Sequence, residues 1–442
     1  MSGGLASMAS QTVVLAGFGV DNEGILGPLL EVGPAEVVVE LDEPSSLSEL
    51  RTERLVGLGI AVAPTGSVGA VDAVIRSPGW PRSRSDVLDR RARGARITSG
   101  IALWLESRPT SVTLGITGTK GKSTTATLAE AVALEHGLVA HLAGNIGVPI
   151  WSIDPAPGSL VIIECSSYQA AEVTRPPSVG VLTSLSPDHV SWHGSYEQYV
   201  ADKLQLFGAG FPAGGDDQRV EPGRPVLVPV SDPELARVLE DHSLSAEFTA
   251  PCDVALLGDH NRANAGLAAT GVRRACELLG VSLDGFDAAA ARALSSAAAL
   301  PGRFRLVHVG QHRWIDDSLA SNPFGAAAGV RAAGPGPLVL IVGGDDRAVS
   351  PDPLVQALLE RDQGATWVVG LASTSAPLAD AARSAGIDTH LASDLSSAAS
   401  LASDLAPAGG TILFSPGAPT PAGEGNWATR SAVFTTRATQ HR

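Results

Sequence analysis

A glycine-rich turn set between a strand pattern and a helix pattern constrains this chain more than any other feature. The apolar run Val112–Thr117 leads into Gly118-Thr119-Lys120-Gly121-Lys122-Ser123-Thr124, and a helical stretch follows that ends near His136-Gly137. Such a turn gathers backbone N–H groups and a helix N-terminus at one point, where they favour phosphate charge. Lys122 is placed to reach the outer phosphates and Ser123 to offer a hydroxyl to Mg²⁺. Ile116 stands where a strict P-loop has glycine, so this is a variant loop in which Gly118 makes the extra turn. The expected fold class is α/β, with ligands beyond the carboxyl ends of parallel strands.

Composition sharpens that reading. Of 31 lysines and arginines only three are lysines: Lys120, Lys122 and Lys203. Arginine serves wherever a cation merely solvates the surface, so each lysine invites a chemical reason. An ammonium can lose its proton where a guanidinium cannot. Lys203 falls in an expected helix, Tyr196 to Phe207, opened by a Ser195/Gln198 capping pattern. Tyr196, Tyr199, Val200, Lys203, Leu204 and Phe207 recur on one face of it. A lysine inside such a stripe is either a snorkelling side chain at its edge or a functional amine. The scarcity of lysine favours the amine.

Other residues carry chemistry with less specificity. Glu164 closes the apolar run Val161–Ile163, and His189 follows Ser186-Pro187-Asp188; together they offer hard and borderline ligands to Mg²⁺. Asn261 and Asn264, three apart on one helix face, can bond a purine or ribose, the alternative being a helix cap. Near the start, Gly17-Phe18-Gly19 follows the strand pattern Thr12–Ala16, with Asn22 where a dinucleotide fingerprint has its third glycine. With Glu40 or Asp42 downstream, this turn suits a nucleotide diphosphate better than NAD.

Around these motifs the chain divides into α/β segments at 1–109, 110–300 and 301–442, with a linker at Pro301-Gly302 and a Gly/Pro/Asp-rich loop from Gly208 to Pro225. In the last segment strands are expected at Trp314-Ile315, Leu338–Val342 and Thr411–Phe414, separated by helices that include Pro353–Arg361 and Ala379–Ala385. The formal net charge of -15 argues against nucleic acid or an anionic membrane as partner. Three separated cysteines fit a reducing compartment, Met1 to Gln11 does not read as a signal peptide, and no apolar run approaches a membrane span. The expectation is a cytoplasmic monomer acting on small molecules.

Together the motifs resemble the Mur ligase family over nearly the whole chain. The resemblance implies an N-terminal Rossmann-like UDP-binding domain, a central P-loop ATPase and a C-terminal Rossmann-like domain. It implies ATP on Gly118, Thr119, Lys120, Gly121, Lys122, Ser123 and Thr124, with Asn261 and Asn264 near adenine, Arg303 on phosphate and Asp317 near the ribose. The UDP-linked substrate would meet Gly17, Gly19, Asp42, Asn145 of Gly144-Asn145-Ile146-Gly147, Ser166 and Gln169. Ser123, Glu164, His189 and Lys203 would hold Mg²⁺ at two sites, Lys203 as a carbamate; only a neutral amine can take up CO₂, and the product is an anion. Catalysis would rest on Lys122, Lys203, His189 and Glu164.

The implied reaction is ATP-driven ligation of glutamate to a UDP-muramoyl-alanine precursor, through an acyl phosphate. Several departures point to the L-glutamate-adding branch rather than the D-glutamate one: Leu319 after Asp317-Ser318, Arg347 in Gly343-Gly344-Asp345-Asp346-Arg347, and Ser415-Pro416-Gly417-Ala418-Pro419-Thr420. Arg347 could grip a glutamate carboxylate bidentately, with Ser321 and Thr420 completing the pocket. Rivals are a Mur-like ligase of secondary metabolism, a folylpolyglutamate-type ligase, against which the Gly17–Gly24 turn argues, and a non-catalytic nucleotide sensor, against which Lys122, Glu164, His189 and Lys203 argue together.

Overall fold

Short runs of Val, Ile and Leu bounded by glycine and polar turns form strands buried on both faces, as parallel sheets require. A computed structural model describes residues 4–108, 110–209, 224–345, 349–362, 365–372 and 376–440. Three sheets result. The first contains β1 (Thr12–Ala16), β2 (Glu36–Leu41), β3 (Ala61–Pro64), β4 (Ala73–Arg76) and β5 (Arg96–Ser99), in the order β3-β2-β1-β4-β5, all parallel. The strand order reverses between β1 and β4, the usual place for a ligand.

The second contains β6 (Val112–Thr117), β7 (Ala140–Gly144), β8 (Leu160–Glu164), β9 (Val179–Leu182), β10 (Val226–Pro229) and β11 (Ala246–Thr249). Its order is β11-β10-β9-β6-β8-β7, again parallel throughout. Trp104, Val161, Ile163, Leu182, Tyr199 and Leu204 share its core.

The third contains β12 (Arg305–Val309), β13 (Arg313–Asp316), β14 (Leu338–Val342), β15 (Thr366–Leu371), β16 (Asp388–Ala392) and β17 (Thr411–Phe414), in the order β12-β13-β17-β14-β15-β16. All its pairs are parallel except β12 with β13. Side chains of β14 alternate between two cores, Leu338, Leu340 and Val342 on one face and Val339 and Ile341 on the other.

The chain forms two compact units. Residues 1–253 and 263–295 carry the first and second sheets; residues 254–262 and 296–442 carry the third. The second unit thus begins close to the Pro301-Gly302 linker but also recovers a short earlier segment. Cys165, Cys252 and Cys276 form no disulfide, and no helix among the described residues is long and apolar enough to cross a membrane. Most of the loop from Gly208 to Pro225 lies outside the described residues.

Candidate active site

The second sheet gathers its chemistry at the carboxyl ends of three adjacent strands, β9, β6 and β8. After β6 the chain turns through Gly118, at φ +149°, and Gly121, which opens the helix Lys122–Glu135. A Cβ at position 118 would stand 2.0 Å from Thr183 Oγ1 and 2.9 Å from the Ser184 backbone nitrogen, so only glycine fits. Thr119 N donates to Ser184 O at 2.8 Å and Lys120 N to Ser184 Oγ at 2.9 Å, pinning the turn to the segment just after β9. Thr124 lies in the first turn of the helix. Asn264 packs against Gly121 so closely that a Cβ there would lie 2.6 Å from its amide oxygen.

Two of the three lysines meet on one atom. Lys122 Nζ donates to Gly118 O at 2.9 Å and to Thr119 O at 3.0 Å. From the helix Tyr196–Leu204, Lys203 Nζ donates to the same Gly118 O at 2.9 Å. Lys203 is 2% exposed and sits 4.6 Å above the Tyr199 ring. Burial holds its pKa well below the usual lysine range, and the neighbouring charges of Lys122 and Lys120 push the same way. Its burial excludes a snorkelling role.

Glu164 ends β8, almost fully buried, beside the loop. Ser123 Oγ donates to its Oε2 at 2.6 Å and Asn145 Nδ2 to its Oε1 at 2.8 Å. A buried carboxylate whose two oxygens accept from neutral donors suits a divalent cation. His189 adopts φ +52°, a conformation that costs a residue with a Cβ about 1–2 kcal/mol. Its ring packs 4.9 Å from that of Tyr168, and strain of this kind gathers at functional sites. Among the described residues no three His, Cys, Asp or Glu side chains cluster around a metal position. An ion at Glu164 would therefore need other kinds of ligand, such as the Ser123 hydroxyl. Cys165 is no nucleophile, because burial pushes its thiol pKa up.

The expected helix ends in a 3₁₀ turn, Gln205–Phe207, and its expected capping box is half formed. Ser195 Oγ accepts from Gln198 N at 3.1 Å, but the Gln198 side chain donates to Asp202 at 2.7 Å instead. A complete box stands at Ser166 and Gln169, where it starts the short helix Ser167–Ala170. Gln169 Nε2 also reaches Asp21 Oδ2 at 2.9 Å, joining the end of β8 to the turn after β1.

In that turn Gly17 takes φ +78° and Gly19 precedes the helix Val20–Glu31. Asn22, fully buried, donates to Gly17 O at 2.8 Å and Ile75 O at 3.2 Å, tying β1 to β4. Burial raises the pKa of Asp21 against the Gln169 hydrogen bond. Asp42 is exposed and engaged by Arg84 at 2.7 and 2.9 Å; those bonds lower its pKa. Glu40, by contrast, is buried on Arg90 at 2.7 Å and accepts from the backbone of Gly66 and Val68. Ser167, His193, Asp202 and Arg76 are buried polar residues, and Asp21 a half-buried one, that sequence reasoning did not single out as site residues.

The remaining assigned residues belong to the second unit. Asn261 Nδ2 donates to Leu257 O at 2.8 Å. Arg303 N bonds Leu300 O, and the Asp317 carboxylate accepts from Phe304 N at 3.2 Å and from Ser415 Oγ at 2.7 Å. Ser321 lines a shallow cleft with Asn322, Gly344, Asp345, Ala418 and Pro419, the last adjoining Thr420. Arg347 lies outside the described residues.

Comparison with known proteins agrees with this geometry. Residues 116–220 match the Mur ligase middle domain. A relative from Micromonospora sp., named UDP-N-acetylmuramoyl-L-alanine–L-glutamate ligase, is 32% identical over 97% of each chain. Another, from Symbiobacterium thermophilum and named UDP-N-acetylmuramoylalanine–D-glutamate ligase, is 29% identical over 92% of this chain and 93% of its own. The fold is shared with MurF ligase from Thermotoga maritima, solved in complex with ADP: TM-score 0.57, 15% identity, 99% of this chain and 97% of that one.

Proposed function

We propose that this chain, which belongs to the Mur ligase family, joins glutamate to the alanyl carboxylate of UDP-N-acetylmuramoyl-alanine in an ATP-driven, ADP-forming step of peptidoglycan precursor synthesis. One observation carries the reading: Lys122 and Lys203 share the Gly118 carbonyl at 2.9 Å each, so phosphate cradle and buried amine are one site. L-Glutamate is favoured by the Leu319, Arg347 and Thr420 departures and by the name of the relative at 32% identity. The site would work in the cytoplasm, as a monomer.

In this reading residues 1–109 take the UDP end through Gly17, Gly19 and Asp42, with Asn145, Ser166 and Gln169 facing the muramoyl part. Residues 110–300 hold ATP on the Gly118–Thr124 loop, with Asn261 and Asn264 towards adenine. Residues 301–442 bring Arg303 and Asp317 to the nucleotide and Ser321, Arg347 and Thr420 to glutamate. The alanyl carboxylate attacks the γ-phosphorus, the bond to the bridging oxygen breaks and ADP leaves. The uncharged glutamate amine then attacks the acyl carbon, and the adduct expels phosphate and a proton. Lys122 balances charge on the phosphoryl group in flight.

The residues also fit a divalent ion. Ser123, Glu164, His189 and a carbamylated Lys203 would hold Mg²⁺, which would spread phosphoryl charge. Carbamylation needs an uncharged amine, which burial of Lys203 favours. The lone pair forms an N–C bond to CO₂, one C=O pair becomes carboxylate, and a proton departs.

The test is incubation with ATP, UDP-N-acetylmuramoyl-L-alanine and each glutamate enantiomer, following ADP and the new amide by mass spectrometry. ADP and amide are expected with L-glutamate. Product with the D-enantiomer alone would move the chain to the other branch, and no ADP with either would overturn the proposal. Lys203→Met keeps the side-chain shape but cannot take up CO₂; it should lower kcat by at least about 100-fold.

A further inference from the structure

Behind Lys203 lies a second set of buried polar groups that the reaction above does not use. His193 Nδ1 is 2.7 Å from Asp202 Oδ2, and its Nε2 is 2.9 Å from Ser167 Oγ. Asp202 Oδ1 also accepts from Arg82 Nη1 at 2.6 Å and Gln198 Nε2 at 2.7 Å. Serine, histidine and aspartate in this order form a nucleophilic triad when a substrate carbonyl can reach the hydroxyl. Here Ser167 is 2% exposed and the His193 and Asp202 side chains are 0% and 1% exposed, so none can.

What the three residues join suggests their use. Ser167 lies three positions past Glu164 at the end of β8, and Asp202 directly precedes Lys203. The His193 ring meets the Tyr199 ring edge-on at 5.2 Å, and that ring lies 4.6 Å below Lys203 Nζ. The Tyr199 hydroxyl is in turn 2.7 Å from Thr119 Oγ1 in the phosphate loop. An aromatic route therefore runs from His193 through Tyr199 to the amine, and a hydrogen bond ties His193 to Asp202, the residue just before Lys203 on the same helix.

We propose that Ser167, His193 and Asp202 are positioning residues, a buried strut that holds the Lys203 amine against Gly118 and in register with Glu164 so that it takes up CO₂ at ambient bicarbonate. The inference rests on the reading of Lys203 as a carbamate. A long side chain that can swing loses any advantage of its surroundings, whereas one locked by packing and a second layer of hydrogen bonds keeps it. Asp202 is itself fixed by His193, Arg82 and Gln198, three partners from three different segments. Arg82 comes from the loop after β4, so the strut also ties the Lys203 helix to the first sheet.

The experiment is a ¹³C-bicarbonate titration of the full chain, reading the carbamate resonance by NMR in the wild type, Ser167→Ala, His193→Gln, Asp202→Asn and Lys203→Met. A resonance is expected in the wild type and none in Lys203→Met. Losing a hydrogen bond to a charged group corresponds to roughly tenfold in an equilibrium, so His193→Gln and Asp202→Asn should need about that much more bicarbonate for half-occupancy. Ser167→Ala should need about threefold more, in line with a neutral hydrogen bond. If Asp202→Asn does not fold, Ser167→Ala decides, since it leaves the ion pair in place. Variants with a normal thermal transition and wild-type bicarbonate dependence overturn the strut while leaving the carbamate intact. A wild type that makes ADP and product yet shows no resonance overturns the carbamate, and the strut with it.

Discussion

Two glycine turns in the first unit share a backbone plan and differ in charge. Each follows an inner parallel strand and opens a helix. The turn after β6 leads into a helix with no acid in its first turn and has Lys122 and Lys203 donating to its carbonyl. The turn after β1 leads into a helix whose first turn carries Asp21 and Glu23. Glu23 is paired with Arg51 and Arg54 at 2.8 and 2.9 Å, and Asp21 with Gln169. Both helix N-termini attract anions through backbone N–H groups, but the second has its own carboxylates close by. The strand–glycine–helix plan supplies donors; the side chains of the first helical turn decide whether a phosphate is welcome. On this contrast the β1 turn is less hospitable to a phosphate than the β6 turn.

Substitutions at the two turns should separate them. The largest effect is expected from Gly118→Ala, whose Cβ meets Thr183 Oγ1 at 2.0 Å and backbone atoms of Ser184 at 2.9 and 3.1 Å. Overpacking plus an unfavourable φ should cost about 3 kcal/mol, and calorimetry should find ATP binding lost with it. Next comes Asn22→Ala, which leaves the Gly17 and Ile75 carbonyls without their buried donor. A loss of about 2 kcal/mol is expected in denaturant unfolding, with ATP affinity unchanged once the protein is folded. Gly17→Ala should be milder, about 1–2 kcal/mol for the positive φ and for displacing Ser77, whose Cβ would lie 2.9 Å away. Were Gly17→Ala to abolish ATP binding while Gly118→Ala spared it, the division of labour between the turns would be reversed.

The contrast also marks what could be read in advance. Strand β6, its turn and its helix were legible because all three signals are contiguous: an apolar run, a fixed glycine spacing and an alanine-rich stretch. Lys203 stood out through arginine usage, a global signal that marked it and the two lysines of the turn as worth a chemical reason. The Ser167–His193–Asp202 strut was not. Its members are 26 and 9 residues apart along the chain, and a hydrogen bond between such positions leaves no periodicity. The pattern Ser-x-x-Gln occurs at both Ser166 and Ser195. Only the fold shows that Gln198 has a better partner in the buried Asp202, so that the reciprocal cap forms at Ser166 alone. Nor could the Pro301-Gly302 linker reveal that residues 254–262 belong with the later unit, because that grouping depends on contacts distant in sequence. The antiparallel pairing of β12 with β13 departs from the parallel expectation and lies at the sheet edge, where one reversed strand is commonly tolerated.

The smallest expected effect tests the charge argument itself. Asp21 sits in the first helical turn with its pKa raised, burial being the larger influence and the Gln169 hydrogen bond the opposing one. A carboxyl whose folded pKa lies above its unfolded value of 3.8 binds its proton more tightly in the native state. Stability therefore falls as pH rises from that value through the raised one, and is level above it. Asp21→Asn removes the titration while its amide oxygen can still accept from Gln169. Relative to the wild type, the variant should gain stability across that window and keep a higher Tm at neutral pH by about 1–3 °C. Thermal scans at pH steps through the acidic range check this. If the wild type instead gains on the variant as pH rises, the carboxylate is comfortable where it stands, and the β1 turn is not opposed to negative charge in the way its comparison with the β6 turn requires.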